Sequence, residues 1–189
     1  CLAEHPGIDL TLDLDDRFVE AAADGYDAVI RHGPINDTRL IAKRLASTRR
    51  ILVASPTYLE RHGRPASLAC LEAHDGIIYA NREADWRFAG PDGWTVVRPR
   101  ACLRVNNGLI MRGAAVAGLG MTLLPTVFVH AELEAGSLVH VDVSAEAEGA
   151  ELFVCYPRAS SAPAKVAALI DWLRRSFGNP PYWEGSGKG

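Results

Sequence analysis

Apolar and polar residues alternate without a break near the start of the chain. Ile8, Leu10, Leu12 and Leu14 fall on one side of an extended backbone, with Asp9, Thr11, Asp13 and Asp15 on the other. This period of two predicts a strand over residues 8–15, one face buried and an acidic outer row discouraging edge pairing. A short helix over 18–24, ended by Gly25, and a second strand over 26–30 follow. So compact a strand–helix–strand unit predicts a parallel pair with a right-handed crossover. Residues 40–54 read as extended, interrupted by the polar Ser47-Thr48-Arg49-Arg50. Ser55-Pro56-Thr57 supplies a capping hydroxyl and then a proline at the first helical position, and Gly63 ends that helix. A short helical stretch at 68–72 leads to strands over 76–80, 94–97 and 101–105, with Pro99 marking the turn between the last two.

Asn106-Asn107-Gly108 opens the next helix, in which Ile110, Ala114, Ala115 and Ala117 are expected to face inward and Gly118 to end it. A strand over 121–124 stops at Pro125. Two more strands, 138–143 and 152–156, precede a helix capped by Ser160 or Ser161. Its Val166, Leu169, Ile170, Leu173 and Phe177 make one core-facing stripe. Beyond Gly178 the Pro180-Pro181 pair and the glycine-rich end read as a loose tail. Strands and helices thus alternate twice, with a change of neighbourhood near Ala54 and another near Tyr156. That order predicts an α/β protein of two lobes joined by two crossing strands, with a ligand cleft between them at the carboxyl ends of the strands. The opening residues 1–7 read as the last turn of a helix stopped by Pro6-Gly7, so the chain is expected to be a fragment.

Composition narrows the function. The 189 residues are 48% hydrophobic and 23% charged, an ordinary globular balance. The longest apolar stretches, at 118–124 and 127–129, fall well short of the roughly 20 residues of a membrane span. Twenty Lys and Arg against 23 Asp and Glu leave a net charge of −3, which argues against a stand-alone nucleic-acid binder. The basic pairs Lys43-Arg44, Arg49-Arg50 and Arg174-Arg175 read as solvated surface. Cys1, Cys70, Cys102 and Cys155 form no CxxC, and the last three are expected to be small buried thiols in a reducing compartment.

Catalytic signatures are missing. There is no Walker sequence, GxSxG, HExxH or EF-hand loop. Gly118-Leu119-Gly120 fails the dinucleotide pattern at Leu123 and reads as a helix cap and turn. The six histidines show no ligand spacing, and Cys155 sits in an apolar run that suits an inert thiol. His74 and Asp75 are adjacent and would point to opposite faces of a strand. Neither an enzyme nor a metal or cofactor site is expected. Two places resemble binding equipment. The Arg31-His32-Gly33 turn offers a cation and a titratable ring, and Asn106-Asn107-Gly108 offers backbone N–H groups at a helix start. The first reads equally as a solvated loop and the second as plain capping.

The pieces His5-Pro6-Gly7-Ile8, Gly25-Tyr26-Asp27-Ala28-Val29-Ile30-Arg31, Leu40-Ile41-Ala42-Lys43-Arg44-Leu45, Ala54-Ser55-Pro56-Thr57-Tyr58-Leu59, Val105-Asn106-Asn107-Gly108, Ala117-Gly118-Leu119-Gly120 and Leu138-Val139-His140-Val141 share an order and spacing. From His5 to about Gly178 they resemble the effector-binding domain of LysR-type transcriptional regulators. Trp86-Arg87-Phe88, following His74-Asp75, is similar to one large subgroup of that family. The resemblance implies two Rossmann-like lobes joined by two crossover strands, as in type 2 periplasmic binding proteins, with the first strand of lobe I missing. It places lobe I at 1–53 and 157–183, lobe II at 54–156 and a flexible tail at 184–189, and implies that a winged helix-turn-helix domain lies outside this chain.

By the same resemblance a small organic effector, such as a carboxylate, meets Arg31, His32 and Gly33 from lobe I. Thr48 joins from the crossing segment, and Asn106, Asn107 and Pro125 from lobe II. It further implies a cytoplasmic homodimer or higher homo-oligomer, assembled through residues 8–15 and the helix at 108–117. No membrane, metal or cofactor is implied, and promoter DNA and RNA polymerase are met only through the intact protein. The competing expectation is an extracytoplasmic solute-binding protein on the same fold, against which four unpaired-looking cysteines argue.

Overall fold

A computed structural model describes residues 2–14, 25–33, 37–82, 84–90, 93–158 and 163–185. The chain divides into two compact units, residues 1–47 with 150–182 and residues 48–149 with 183–189.

In the first unit β1 (Val29–His32) pairs antiparallel with β10 (Ala150–Pro157), which lies between β1 and β2 (Leu40–Thr48). The helix α4 (Pro163–Phe177) covers one face: Val166 and Ile170 pack with Leu45 and Val154 into a core extended by Leu152, Leu173 and Phe177. The helical stripe read from the sequence is the one that is buried, because spacings of three and four keep those side chains on one side of a 3.6-residue turn.

The second unit is built on a five-stranded mixed sheet. Its strands are β3 (Arg50–Ala54), β4 (Asp75–Tyr79), β7 (Arg100–Val105), β8 (Met121–Pro125) and β9 (Val139–His140), in the order β7-β4-β8-β3-β9. Strand β4 runs parallel to β7 and β8, whereas β3 runs antiparallel to β8 and β9. Both faces are covered, which explains why these strands read as nearly continuous apolar runs. Leu52, Ile78 and Leu123 face a core with Tyr58 and Leu59 of α1 (Pro56–His62) and with Phe88 of the hairpin β5 (Arg87–Gly90)–β6 (Gly93–Val96). Val53, Ile77 and Leu124 face the other way, against Met111 and Ala115 of α2 (Gly108–Val116) and Val129 of α3 (Thr126–Glu134). Ser55 caps α1 by accepting from the Tyr58 N–H, and Gly63, at a positive φ of 80°, closes it.

The structure corrects several expectations. Residues 8–14 form no strand; Leu10, Leu12 and Leu14 are exposed, Leu14 at 94%. Alternation states a preference for burying one face but supplies no partner strand, and β1 has β10 beside it in an antiparallel register instead of a parallel mate. The predicted helix at 18–24 and the Ser160 or Ser161 cap lie outside the described residues. Helix α2 buries Met111 and Ala115, while Ile110 and Ala117 stay exposed: the true stripe is rotated by about one position from the predicted one. Helix α3 was not anticipated, because it follows Pro125 with no side-chain cap and begins with a β-branched, strand-like run. Strand β5 was missed, and the strand expected over 138–143 shrinks to β9. Cys70 and Cys102 are exposed; only Cys155 is a buried thiol among these three. The loose tail is pinned as far as a 3₁₀ turn at Tyr182–Glu184, whose Trp183 is 2% exposed.

Candidate functional site

Parallel strands end on the same side of a sheet, and β7, β4 and β8 run together in the second unit. Asn106 and Asn107 follow β7, while Pro125 closes β8 and precedes α3. Because β3 is antiparallel to β8, its beginning lies at that same edge, with Arg50 opposite Pro125 and Thr48 just upstream. Four of the seven sequence-derived candidates therefore share the carboxyl-end edge of one sheet, where α/β folds characteristically bind ligands. The starts of α2 and α3 also approach each other. A Cβ built on Gly108 would sit 3.1 Å from the ring of Phe128, so close a packing admits only a glycine without adjustment.

Thr48 and Thr126 are both buried, with their hydroxyls 3.0 Å apart. The Thr126 hydroxyl donates to Oε1 of Glu184 at 2.6 Å. With the Thr126 proton committed to Glu184, the single Thr48 proton faces two acceptors, Thr126 Oγ1 at 3.0 Å and the Arg49 carbonyl at 3.3 Å. The same Oε1 accepts from the backbone N–H of Arg49 at 2.7 Å, and Oε2 accepts from Arg49 Nε at 2.6 Å. The Thr126 N–H donates to the Arg49 carbonyl, which fixes the spacing of these donors. Burial acts to raise the pKa of Glu184, but the bonds from Thr126 and from the backbone and side chain of Arg49 outweigh it and hold the carboxyl below its ordinary value. A carboxylate at the first residue of α3 is also favoured by the helix dipole.

At Asn107 the side-chain oxygen accepts from the N–H groups of Leu109 and Ile110, at 3.0 and 3.1 Å. Those two donors are committed to the cap. Near the same edge, Arg50 and Asp85 form a buried ion pair, with side chains 6% and 2% exposed. Arg50 also donates to the carbonyls of Asp85 (2.8 Å) and Leu123 (3.2 Å), and Asp85 accepts from the Tyr79 N–H. Burial lowers the pKa of Arg50, against the opposing pull of Asp85. Glu148 pairs with Arg82 and, at 2.9 Å, with Arg87. Together these ties hold the connection that leaves β4.

In the first unit Arg31 and His32 end β1, opposite Phe153 and Leu152 of β10. Successive residues of a strand face opposite ways, so His32 lies on the α4 side with Leu152 and Arg31 on the other, with Phe153 and the buried thiol of Cys155. Burial raises the Cys155 pKa, while the positive charge of Arg31 counters it. Gly33 turns at a φ of 87° and donates to the Glu151 carbonyl at 2.9 Å.

Sequence reasoning missed Arg49, Thr126, Glu184 and the Arg50–Asp85 pair. A Trp inside a supposed tail was a sign of burial, whereas Thr126 after Pro125 carried no side-chain cap to mark a helix start. No signal in the sequence linked Glu184 to Arg49, 135 residues away.

The LysR substrate binding domain family matches residues 1–178. YhjC, described as an uncharacterized HTH-type transcriptional regulator of Escherichia coli K12, is 32% identical over 173 residues, covering 89% of this chain and 58% of the relative. The HTH-type transcriptional regulator DmlR of the same organism is 29% identical over 92% of this chain and 57% of its own length. The full-length structure of AphB, the Vibrio cholerae virulence activator and a member of the LTTR family, superimposes with a TM-score of 0.77 at 27% identity, covering 92% of this chain and 60% of that one. The regulatory domain of CrgA from Neisseria meningitidis matches in fold, with a TM-score of 0.83 at 21% identity over 94% of this chain and 88% of that one. The chain spans somewhat under two thirds of the curated relatives it matches, and these are transcriptional regulators, not enzymes. Its mixed α/β sheets are those of a type 2 periplasmic-binding-protein-like fold. With 178 of its 189 residues matched, the chain belongs to the LysR substrate-binding domain family.

Proposed function

We propose that this chain is the ligand-sensing and oligomerisation domain of a cytoplasmic LysR-type transcriptional regulator. It binds a small organic effector, and through the intact protein that binding controls contact with promoter DNA and RNA polymerase. The observation that supports this most is the gathering of Thr48, Asn106, Asn107 and Pro125 on one carboxyl-end sheet edge, beside donors arranged for a carboxylate. Arg31, with His32 and Gly33, is proposed as the contribution of the first unit to a carboxylate-bearing effector. The oligomer is proposed to use α2, which leaves Leu109 and Ile110 more than half exposed on its outer side. The other half of the assembly expectation, a strand at 8–15, is absent among the described residues, so that segment is not proposed to pair as a strand.

Calorimetric titration against a metabolite library tests the reading. Losing one charge-assisted partner costs about 1.5–3 kcal/mol, so Arg31→Ala should weaken a carboxylate effector by about 10- to 100-fold. The fold should persist, because Arg31 lies at a strand end away from the α4 core. Unchanged affinity would remove Arg31 from the site, and a library without any ligand would count against the sensing function itself.

A further inference from the structure

Glu184 is seated as a ligand would be. Both oxygens of its carboxylate are engaged, by Thr126 Oγ1, Arg49 N and Arg49 Nε, all within 2.7 Å. None of these donors is a sequence neighbour: Thr126 is 58 residues away and Arg49 is 135. The seat adjoins Thr48 and Pro125, two of the residues proposed to meet the effector. The occupant arrives on a three-residue 3₁₀ turn in which Trp183 is buried, with Tyr182 and Gly185 exposed on either side.

We propose that Trp183 and Glu184 form an autoinhibitory strap, in which Glu184 fills with its own carboxylate the place that a carboxylate-bearing effector takes on Arg49 and Thr126. This rests on the effector-sensing reading above. A tethered occupant competes at a fixed effective concentration, and apparent affinity falls in proportion to the fraction of time the seat is empty. A strap docked for about nine-tenths of the time weakens the effector about tenfold. Binding then requires release of Trp183, which couples occupancy of the sheet edge to the position of the 3₁₀ turn.

The experiment has two arms, each using the full chain with Glu184→Ala and Glu184→Gln. In the first, thermal unfolding is followed with sodium acetate as the probe, against sodium chloride of equal ionic strength and against acetamide. The Ala variant should melt below the wild type. Acetate alone should restore part of the loss, saturably, and should act on the wild type only at about tenfold higher concentration. Equal acetate effects on wild type and variant, or none on either, overturn the seat. The second arm is calorimetry of each carboxylate that binds the wild type or the Gln variant. About tenfold tighter binding by Glu184→Gln is expected, and equal affinity overturns the strap while leaving effector sensing intact. Acetate rescue with no carboxylate bound by either protein overturns the sensing reading and, with it, the strap, leaving Glu184 a structural tie.

Discussion

Asp85→Ala isolates the contribution of the one ion pair that, among the described residues of the second unit, is buried on both sides. Asp85 and Arg50 have side chains 2% and 6% exposed, so the guanidinium left behind cannot recover its hydration. It keeps two carbonyl partners, Leu123 and residue 85 itself, but no opposite charge, and the Tyr79 N–H loses its acceptor. Removing one partner of such a pair costs about 3–5 kcal/mol. If the 189 residues melt together, that corresponds to a fall of about 6–20 °C. The physical claim is that the cost lies in the stranded charge and not in lost packing. Arg50→Met alone strands the carboxylate in the same way, whereas the double variant strands no charge. Urea unfolding of the four proteins should therefore show the two single costs exceeding the double cost by about 2 kcal/mol. A single cost below about 1 kcal/mol, or additivity within about 0.5 kcal/mol, would refute the reasoning.

Two further predictions concern charge and backbone spacing. The pKa of Glu184 is lowered from 4.5 by folding, so the stability it contributes is complete above that value and lost as pH falls through the lowered one. Melting points of wild type and Glu184→Gln should converge on acidification from about pH 7 to about pH 3, and a constant gap would show that the folded carboxyl titrates normally. A Cβ at Gly120 would lie 2.6 Å from the Asp75 carbonyl oxygen, so Gly120→Ala must shift β4 or β8 and should cost about 1–3 kcal/mol. Gly113→Ala meets nothing within 4 Å inside α2 and should be stabilising by up to about 1 kcal/mol; equal effects at the two glycines in urea unfolding would contradict the packing described.

Local chemistry was legible wherever it was sufficient. Ser55-Pro56 and Asn107 carry their helix caps within two or three residues, and the stripe from Val166 to Phe177 defines a buried face by spacing alone. Runs such as 121–124 are apolar on both sides because both sheet faces are covered, and the strand followed from the run. The order of these elements was enough to indicate a mixed α/β architecture. Tertiary structure decided everything that needed a distant partner. Residues 8–14 alternate as a strand does, but an extended segment becomes a strand only when a neighbouring strand meets its N–H and C=O groups, and no strand among the described residues pairs with it. α2 and α3 obey neighbours across the sheet, so the buried stripe of one and the existence of the other escaped local rules. Thr48 and Pro125 were identified along the chain, yet the carboxylate that joins them to Arg49 and Thr126 comes from Glu184, in a stretch that reads as tail. A charged hydrogen bond depends on a separation of a few ångströms in space. Sequence distance says nothing about that separation until the chain has folded.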